Sequence, residues 1–180
     1  MLADDDHRSS RRAHRSWKSA RIQRGDRTSP RPGRPDAPTA FALILFDLDH
    51  FKAYNDEHGH PAGDAALART GEILLHATRD NDVAFRYGGE EFLLLIADVD
   101  LAMAVAVAER VRVAAEASTG LPPFTISGGV AISDAADGLD PQPLVRRADT
   151  ALYVAKRAGR NRIVADEGSV ARHRKRIAVA

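Results

Sequence analysis

The chain of 180 residues contains no cysteine. That absence excludes disulfide frameworks, cysteine-ligated zinc, iron–sulfur clusters and thiol nucleophiles, and it is compatible with a reducing cytoplasm. Long apolar runs are missing as well. The longest, Pro38 to Phe46 and Leu101 to Ala108, fall well short of the roughly 18 residues of a membrane-spanning helix, so no transmembrane segment is expected. The N-terminus has no apolar stretch followed by a small-residue cleavage site, which argues against a secretory signal and for a cytoplasmic location. No phosphate loop of the Gly-x-x-x-x-Gly-Lys-Ser/Thr kind occurs, and no Gly-x-Gly-x-x-Gly follows a strand, so the folds built on those loops are excluded. The histidines do not gather: His58 and His60 flank Gly59 in an expected loop, while His50 and His76 stand apart. A zinc site needs three or four ligands, and none is expected here.

What is present is a globular mixture, 44% apolar and 28% charged, in a chain long enough to close one hydrophobic core. The net charge of +1 conceals an asymmetry. Residues 1–39 carry ten Lys/Arg against five Asp, whereas the rest carries 16 basic against 20 acidic residues. The leading segment also holds Pro30, Pro32, Pro35 and Pro38 and few aliphatic residues. It cannot bury enough apolar surface to offset the entropy of ordering and reads as a basic, disordered segment. With Trp17 as its one aromatic and no apolar face, it is not expected to bind nucleic acid. Residues 167–180, with Arg172, Arg174, Lys175 and Arg176, read as a second basic tail. The folded domain is expected over residues 40–166.

Within that body, Phe41 to Phe46 is a continuous apolar run, as expected of a strand covered on both faces. From Gly63 to Thr78, Ala66, Leu67, Thr70, Ile73, Leu74 and Ala77 recur at helical spacing. Val83–Tyr87 and Phe92–Ala97 flank Gly88-Gly89-Glu90-Glu91, which predicts a β-hairpin with both glutamates in its turn. Leu101–Ala117 reads as a helix, and Phe124–Ile132 as a strand with a bulge at Gly128-Gly129. Pro141–Ala158 reads as a helix stopped by Gly159, and Arg162–Ala165 as a last short strand. The order β-α-α-β-β-α-β-α-β predicts an α+β sandwich of the palm or ferredoxin-like kind, a mainly antiparallel sheet flanked by helices.

Asp47-Leu48-Asp49 ends the first strand directly. Aspartate is a poor strand former, so the pair is there to turn the chain or to hold something. If the first strand lies beside the hairpin, Asp47 and a hairpin glutamate meet at one edge of the sheet. Hard oxygen ligands without His or Cys suit Mg²⁺. A turn plus a solvated acidic hairpin would read the same way. A paired-carboxylate glycosidase fits less well, because the adjacent side chains of Glu90 and Glu91 diverge.

Taken together, these stretches resemble a known family. Arg86 to Phe92 reproduces the Gly-Gly-Glu-Glu-Phe form of the GGDEF signature. Phe46 to Lys52, Asn55-Asp56, Gly63-Asp64 and Asp149 to Asn161 follow in the family's order and spacing. From Phe41 to Val164 the chain is similar to the catalytic domain of bacterial diguanylate cyclases. The resemblance implies condensation of two GTP into cyclic di-GMP and two pyrophosphates by a homodimer, in signalling that promotes biofilm. It implies that Asp47, Glu90 and the Leu48 carbonyl hold Mg²⁺ or Mn²⁺, with Glu91 a further catalytic-site carboxylate that supports the turn. Asn55 and Asp64 would read guanine, whose neighbouring N–H donors a carboxylate can accept together. Lys156, Arg160, Lys52 and amides near His50 and Phe51 would bind the triphosphate. Gly88 and Gly89 would let the nucleotide approach and allow a turn with positive φ. Arg79 and Asp82, with Arg110, match an inhibitory product site.

The family's Asp-x-Leu-Thr-Gly-Leu-x-Asn-Arg-Arg stretch has no counterpart in residues 1–40. The core is expected to survive that departure, with catalysis slowed. The alternative is a weak or inactive domain that binds cyclic di-GMP or GTP.

Overall fold

The apolar run at Phe41 forms β1 (Phe41–Leu48), buried at every residue but the first. Alternation divides it between two faces, as strand geometry requires. Ala42, Ile44, Phe46 and Leu48 enter one apolar cluster, while Leu43 and Leu45 enter another. A strand covered on both sides belongs at the centre of a sheet, and β1 lies there. The structure, a computed structural model, describes residues 41–133 and 141–171; the expected basic segment at 1–39 and most of the basic tail lie outside them.

The remaining elements are α1 (Phe51–His58), α2 (His60–Ala77), β2 (Val83–Arg86), β3 (Glu91–Ala97), α3 (Leu101–Glu116), β4 (Ile126–Ile132), α4 (Gln142–Arg157) and β5 (Ile163–Ala165). The sheet order is β2-β3-β1-β4-β5, with β5 parallel to β4 and the other pairs antiparallel. Side chains of α1, α2 and α3 cover one face with Phe46, Leu94 and Val130. On the opposite face α4 lays Leu144, Val145, Ala148 and Leu152 against Leu43, Leu45 and Leu93. Those four recur at helical spacing, which makes the apolar stripe of an amphipathic helix. This is the expected palm-like α+β architecture.

Three local expectations change. His58 and His60 are not in a loop: they end α1 and begin α2, and Gly59 alone, at φ 83°, makes the junction. Glu91 is not in the hairpin turn but is the first residue of β3, paired with Asp47. Gly128-Gly129 makes no bulge, since β4 pairs with β1 in unbroken register from Ile126 to Ile132. Gly129 is required by space, since a Cβ there would run into the backbone of α4 at Ala148 and Leu152; one on Gly128 would press on the side chains of Ile163 and Phe46.

The fold also continues past residue 166. Residues 167–171 form a helical turn in which Ser169 is buried and donates to the Asp166 carboxylate. Ser169 also accepts from the Ile132 amide at 2.9 Å, and Val170 packs on the core.

Candidate functional site

β1 ends in the acidic triplet, and the sheet decides what each acid does. Asp47 shares the face of Leu43 and Leu45, toward α4, and is only 2% exposed. There its Oδ1 meets Lys156 Nζ of α4 at 2.8 Å. Asp49 is buried too, but its carboxylate is engaged by three donors. It accepts from Thr125 Oγ1 and Ser127 Oγ, each at 2.7 Å, and from the Asn161 amide at 3.0 Å. Asp49 therefore ties the strand end to β4 and to the turn after α4, while Asp47 faces Lys156 across the cavity wall.

Antiparallel pairing brings the hairpin to the same edge. The Leu48 amide donates to the Glu90 carbonyl at 3.2 Å, so residues more than 40 apart in sequence become neighbours. His50, at φ 55°, turns the chain into α1. Tyr54 anchors that helix: its hydroxyl donates to the Pro122 carbonyl at 3.2 Å, its ring packs edge-on against Phe124, and burial raises its phenol pKa. The free amides of the first turn of α1 then open beside His50.

A cavity of about 490 Å³ lies between these parts, lined by Asp47, Leu48, Asp49, His50, Lys52, Ala53, Asp56, Glu90, Lys156 and Arg160. Seven of the expected site residues thus meet here, from β1, α1, the hairpin and the end of α4. Leu48 can serve only through its backbone, because its side chain is buried in the core. Among the described residues no three His, Asp or Glu side chains close around a point as a self-sufficient metal site. The donor set still fits a hard divalent ion that keeps waters and phosphate oxygens in its shell. Lys156 already brings a cation to the buried Asp47 carboxylate.

Other expected residues lie elsewhere. Phe51 packs on the core. Asn55 turns inward, and its Oδ1 is buried without a hydrogen-bond partner against Gly63, where any Cβ would collide with it. Asp64, next in sequence to Gly63, lines a second cavity of about 500 Å³ with Leu67, Arg86 and Phe92. Glu91 does not line the main cavity: its carbonyl accepts from the Tyr87 and Gly88 amides, and its carboxylate lies over Gly88. Neither Gly88 nor Gly89 has positive φ, contrary to expectation. A Cβ on Gly88 would stand 2.5 Å from Glu91 Oε2, the movable end of that side chain, and Gly89 faces open space. Asp82 accepts from the Arg79 amide at 2.8 Å in the turn after α2. Arg110 donates to the Ala77 carbonyl at 3.0 Å and lines a separate groove with Arg69 and His76. That groove does not include Arg79 or Asp82.

Sequence reading gave no sign of Arg112 and Glu116, and marked Asn161 only as the end of a motif; the three form a polar cluster behind the site. Arg112 reaches Glu109 at 2.6 Å, Glu116 at 2.8 Å and Asn161 Oδ1 at 2.8 Å, while Asn161 Nδ2 donates to Glu116 at 2.8 Å. Hydrogen bonds from Asn161 and Arg112 lower the Glu116 pKa, and the hydrogen bond to Glu109 raises that of Arg112. The Arg112–Asn161 partners are 49 residues apart, so no local pattern could have announced them.

Comparison with known proteins bears on the family and the fold. The profile of the family described as "Diguanylate cyclase, GGDEF domain" matches residues 33–162. Diguanylate cyclase DgcM of Escherichia coli K12 is 44% identical over 127 residues, covering 69% of this chain. Response regulator PleD of Caulobacter vibrioides is 40% identical over 68% of it. The chain spans about 30% of the length of these curated relatives. Among solved structures, the active GGEEF domain of a diguanylate cyclase from Vibrio cholerae superposes with a TM-score of 0.67 at 30% identity, over 71% of this chain and 83% of that one. The GGDEF domain of DgcB from Caulobacter crescentus, in complex with c-di-GMP, gives 0.66 at 32%, over 71% and 78%. With a profile covering most of the chain, relatives above 40% identity over more than two thirds of it and the same fold in solved structures, the chain belongs to the GGDEF diguanylate cyclase domain family.

Proposed function

We propose that this chain condenses two molecules of GTP into cyclic di-GMP as a homodimer. In each of two equivalent steps, a 3′-hydroxyl oxygen bonds to the α-phosphorus of the other nucleotide. The bond from that phosphorus to the bridging oxygen breaks, the hydroxyl proton leaves, and pyrophosphate departs. The observation that carries the reading is the meeting of Asp47 and Glu90 with Lys156 and Arg160 around one cavity.

Asp47, Glu90 and the Leu48 carbonyl would hold Mg²⁺ or Mn²⁺. A bound divalent ion supplies charge neutralisation at the reacting phosphate and acidifies the attacking hydroxyl. The protein's own share is positioning. Lys52, Lys156 and Arg160 set positive charge on the cavity wall, and the α1 amides add the positive end of a helix dipole beside it. Together these fix where a triphosphate would lie, which is the larger part of catalysis in phosphoryl transfer. Asn55 and Asp64 are the guanine readers in this reading. The partnerless Asn55 Oδ1 supports it, because a buried carbonyl oxygen without a donor is costly until a base supplies one. We place product inhibition at Arg79 and Asp82 with Arg110, whose hold on the Ala77 carbonyl brings it to the foot of that turn.

Purified protein incubated with GTP and Mg²⁺ is expected to yield cyclic di-GMP and pyrophosphate. Because the reading brings two GTP together on two chains, specific activity should rise with protein concentration until dimers saturate. Folded protein that gives no product at high concentration would overturn the reading.

A further inference from the structure

Arg160 sits in an unusual stretch of backbone. Gly159, Arg160 and Asn161 follow one another at φ 114°, 62° and 44°. Glycine enters that region freely, but two consecutive L-residues seldom do. Such conformations persist only where the surroundings over-determine them, and they gather at functional sites.

The surroundings here are specific. The Arg160 amide donates to the Ala155 carbonyl at 3.1 Å, and the Arg160 carbonyl accepts from Arg162 Nε at 2.9 Å. Both polar ends of the Asn161 amide are occupied by α3, Oδ1 by Arg112 and Nδ2 by Glu116. The Asn161 backbone N–H is held by Asp49, one residue beyond Leu48 on the chain that carries Asp47. Arg112 is itself fixed between Glu109 and Glu116, with its side chain 17% exposed. Of these groups, Asp49 and Arg160 line the cavity; Arg112, Glu116 and Asn161 do not.

We propose that Arg112 and Asn161 are positioning residues for the triphosphate. They lock residues 159–161 in the left-handed conformation that turns Arg160 to the cavity. Through Asp49 they also fix that arginine relative to the Asp47 end of β1. Neither touches the nucleotide, and both act through Arg160. The inference rests on Arg160 being a triphosphate ligand.

The test is calorimetry on the whole chain with two probes, guanosine 5′-(α,β-methylene)triphosphate and GMP. The variants are Arg160→Ala, Asn161→Ala, Arg112→Lys and the double variant Arg112→Lys/Arg160→Ala, each checked by thermal unfolding. Arg112→Lys keeps the charge and stem but cannot fork to Glu109, Glu116 and Asn161 together, so it folds even if Asn161→Ala does not. Asn161→Ala and Arg112→Lys are expected to weaken the triphosphate about tenfold, the usual scale for loss of an outer-shell partner, while leaving GMP nearly unchanged. In the Arg160→Ala background, Arg112→Lys should add almost nothing, as for groups acting as one unit. Equal losses for both probes, no loss for the triphosphate, or losses that add in full to Arg160→Ala would each overturn the proposal. If Arg160→Ala itself left triphosphate affinity intact, the underlying reading of Arg160 would fall, and this inference with it.

Discussion

Asp47 and Asp49 share a strand end and near-complete burial, yet their surroundings give them different work. The Asp49 carboxylate is consumed by Thr125, Ser127 and the Asn161 amide. Removing it in Asp49→Ala would leave three donors without an acceptor, two of them on β4 or its approach. We expect a loss of about 3 kcal/mol in urea unfolding, the scale of buried polar groups left unsatisfied. Asp47 faces Lys156, whose side chain is 30% exposed and can turn to water if its partner is neutralised. Asp47→Asn should therefore change stability by no more than about 1 kcal/mol, as for partly solvated ion pairs, while abolishing cyclic di-GMP formation. Measuring both quantities on both variants checks the division. A severely destabilised Asp47→Asn, or an Asp49→Ala with wild-type stability, would contradict it.

Elements are where local pattern and long-range packing separate. β1 and α2 were legible because burial imposes a period: a continuous apolar run for a strand covered twice, a stripe at helical spacing for a helix covered once. The Gly-Gly hairpin was legible for a similar reason, since turn chemistry is local. The second glycine pair misled because the same dipeptide answers a different demand. Gly128-Gly129 sits where α4 and the β5 side chain Ile163 crowd the sheet, and nothing in sequence distinguishes a glycine that bends a strand from one that admits a helix. The two pairs should consequently respond differently to a methyl group. Gly129→Ala would force α4 off β4, with an expected cost of about 1–3 kcal/mol, typical of overpacking where the neighbour is backbone. Gly89→Ala meets open space at a φ that alanine accepts. It should leave the urea midpoint nearly unchanged and reduce turnover if a nucleotide passes over the hairpin. Equal destabilisation by the two substitutions would remove the packing explanation of Gly129.

At the scale of the molecule, the site depends on contacts that join α3, the end of α4 and the end of β1, far apart in sequence. That is why residues that line the cavity stood out in their motifs and the cluster behind them did not: no spacing links Arg112 and Glu116 to Asn161. Their coupling has a thermodynamic signature in acid. Glu116 is held below its ordinary carboxylate pKa by hydrogen bonds from Asn161 first and Arg112 second. A group whose pKa falls on folding contributes its stabilisation above its unfolded value and loses it as pH drops through the depressed folded one. Glu116→Gln keeps an acceptor for Asn161 but cannot be ionised. The wild type should therefore unfold at a higher temperature than Glu116→Gln near neutrality, and the gap should shrink as pH falls through the ordinary carboxylate range and close only below it, where the folded Glu116 takes up its proton. Because Glu116 is solvent-exposed, the gap will be small and should shrink with added salt. Melting curves that run parallel from neutral to acid pH would mean that Glu116 lends no charge-dependent support to Asn161. The left-handed turn at Arg160 would then rest on the Asp49 contact and the neutral hydrogen bonds alone.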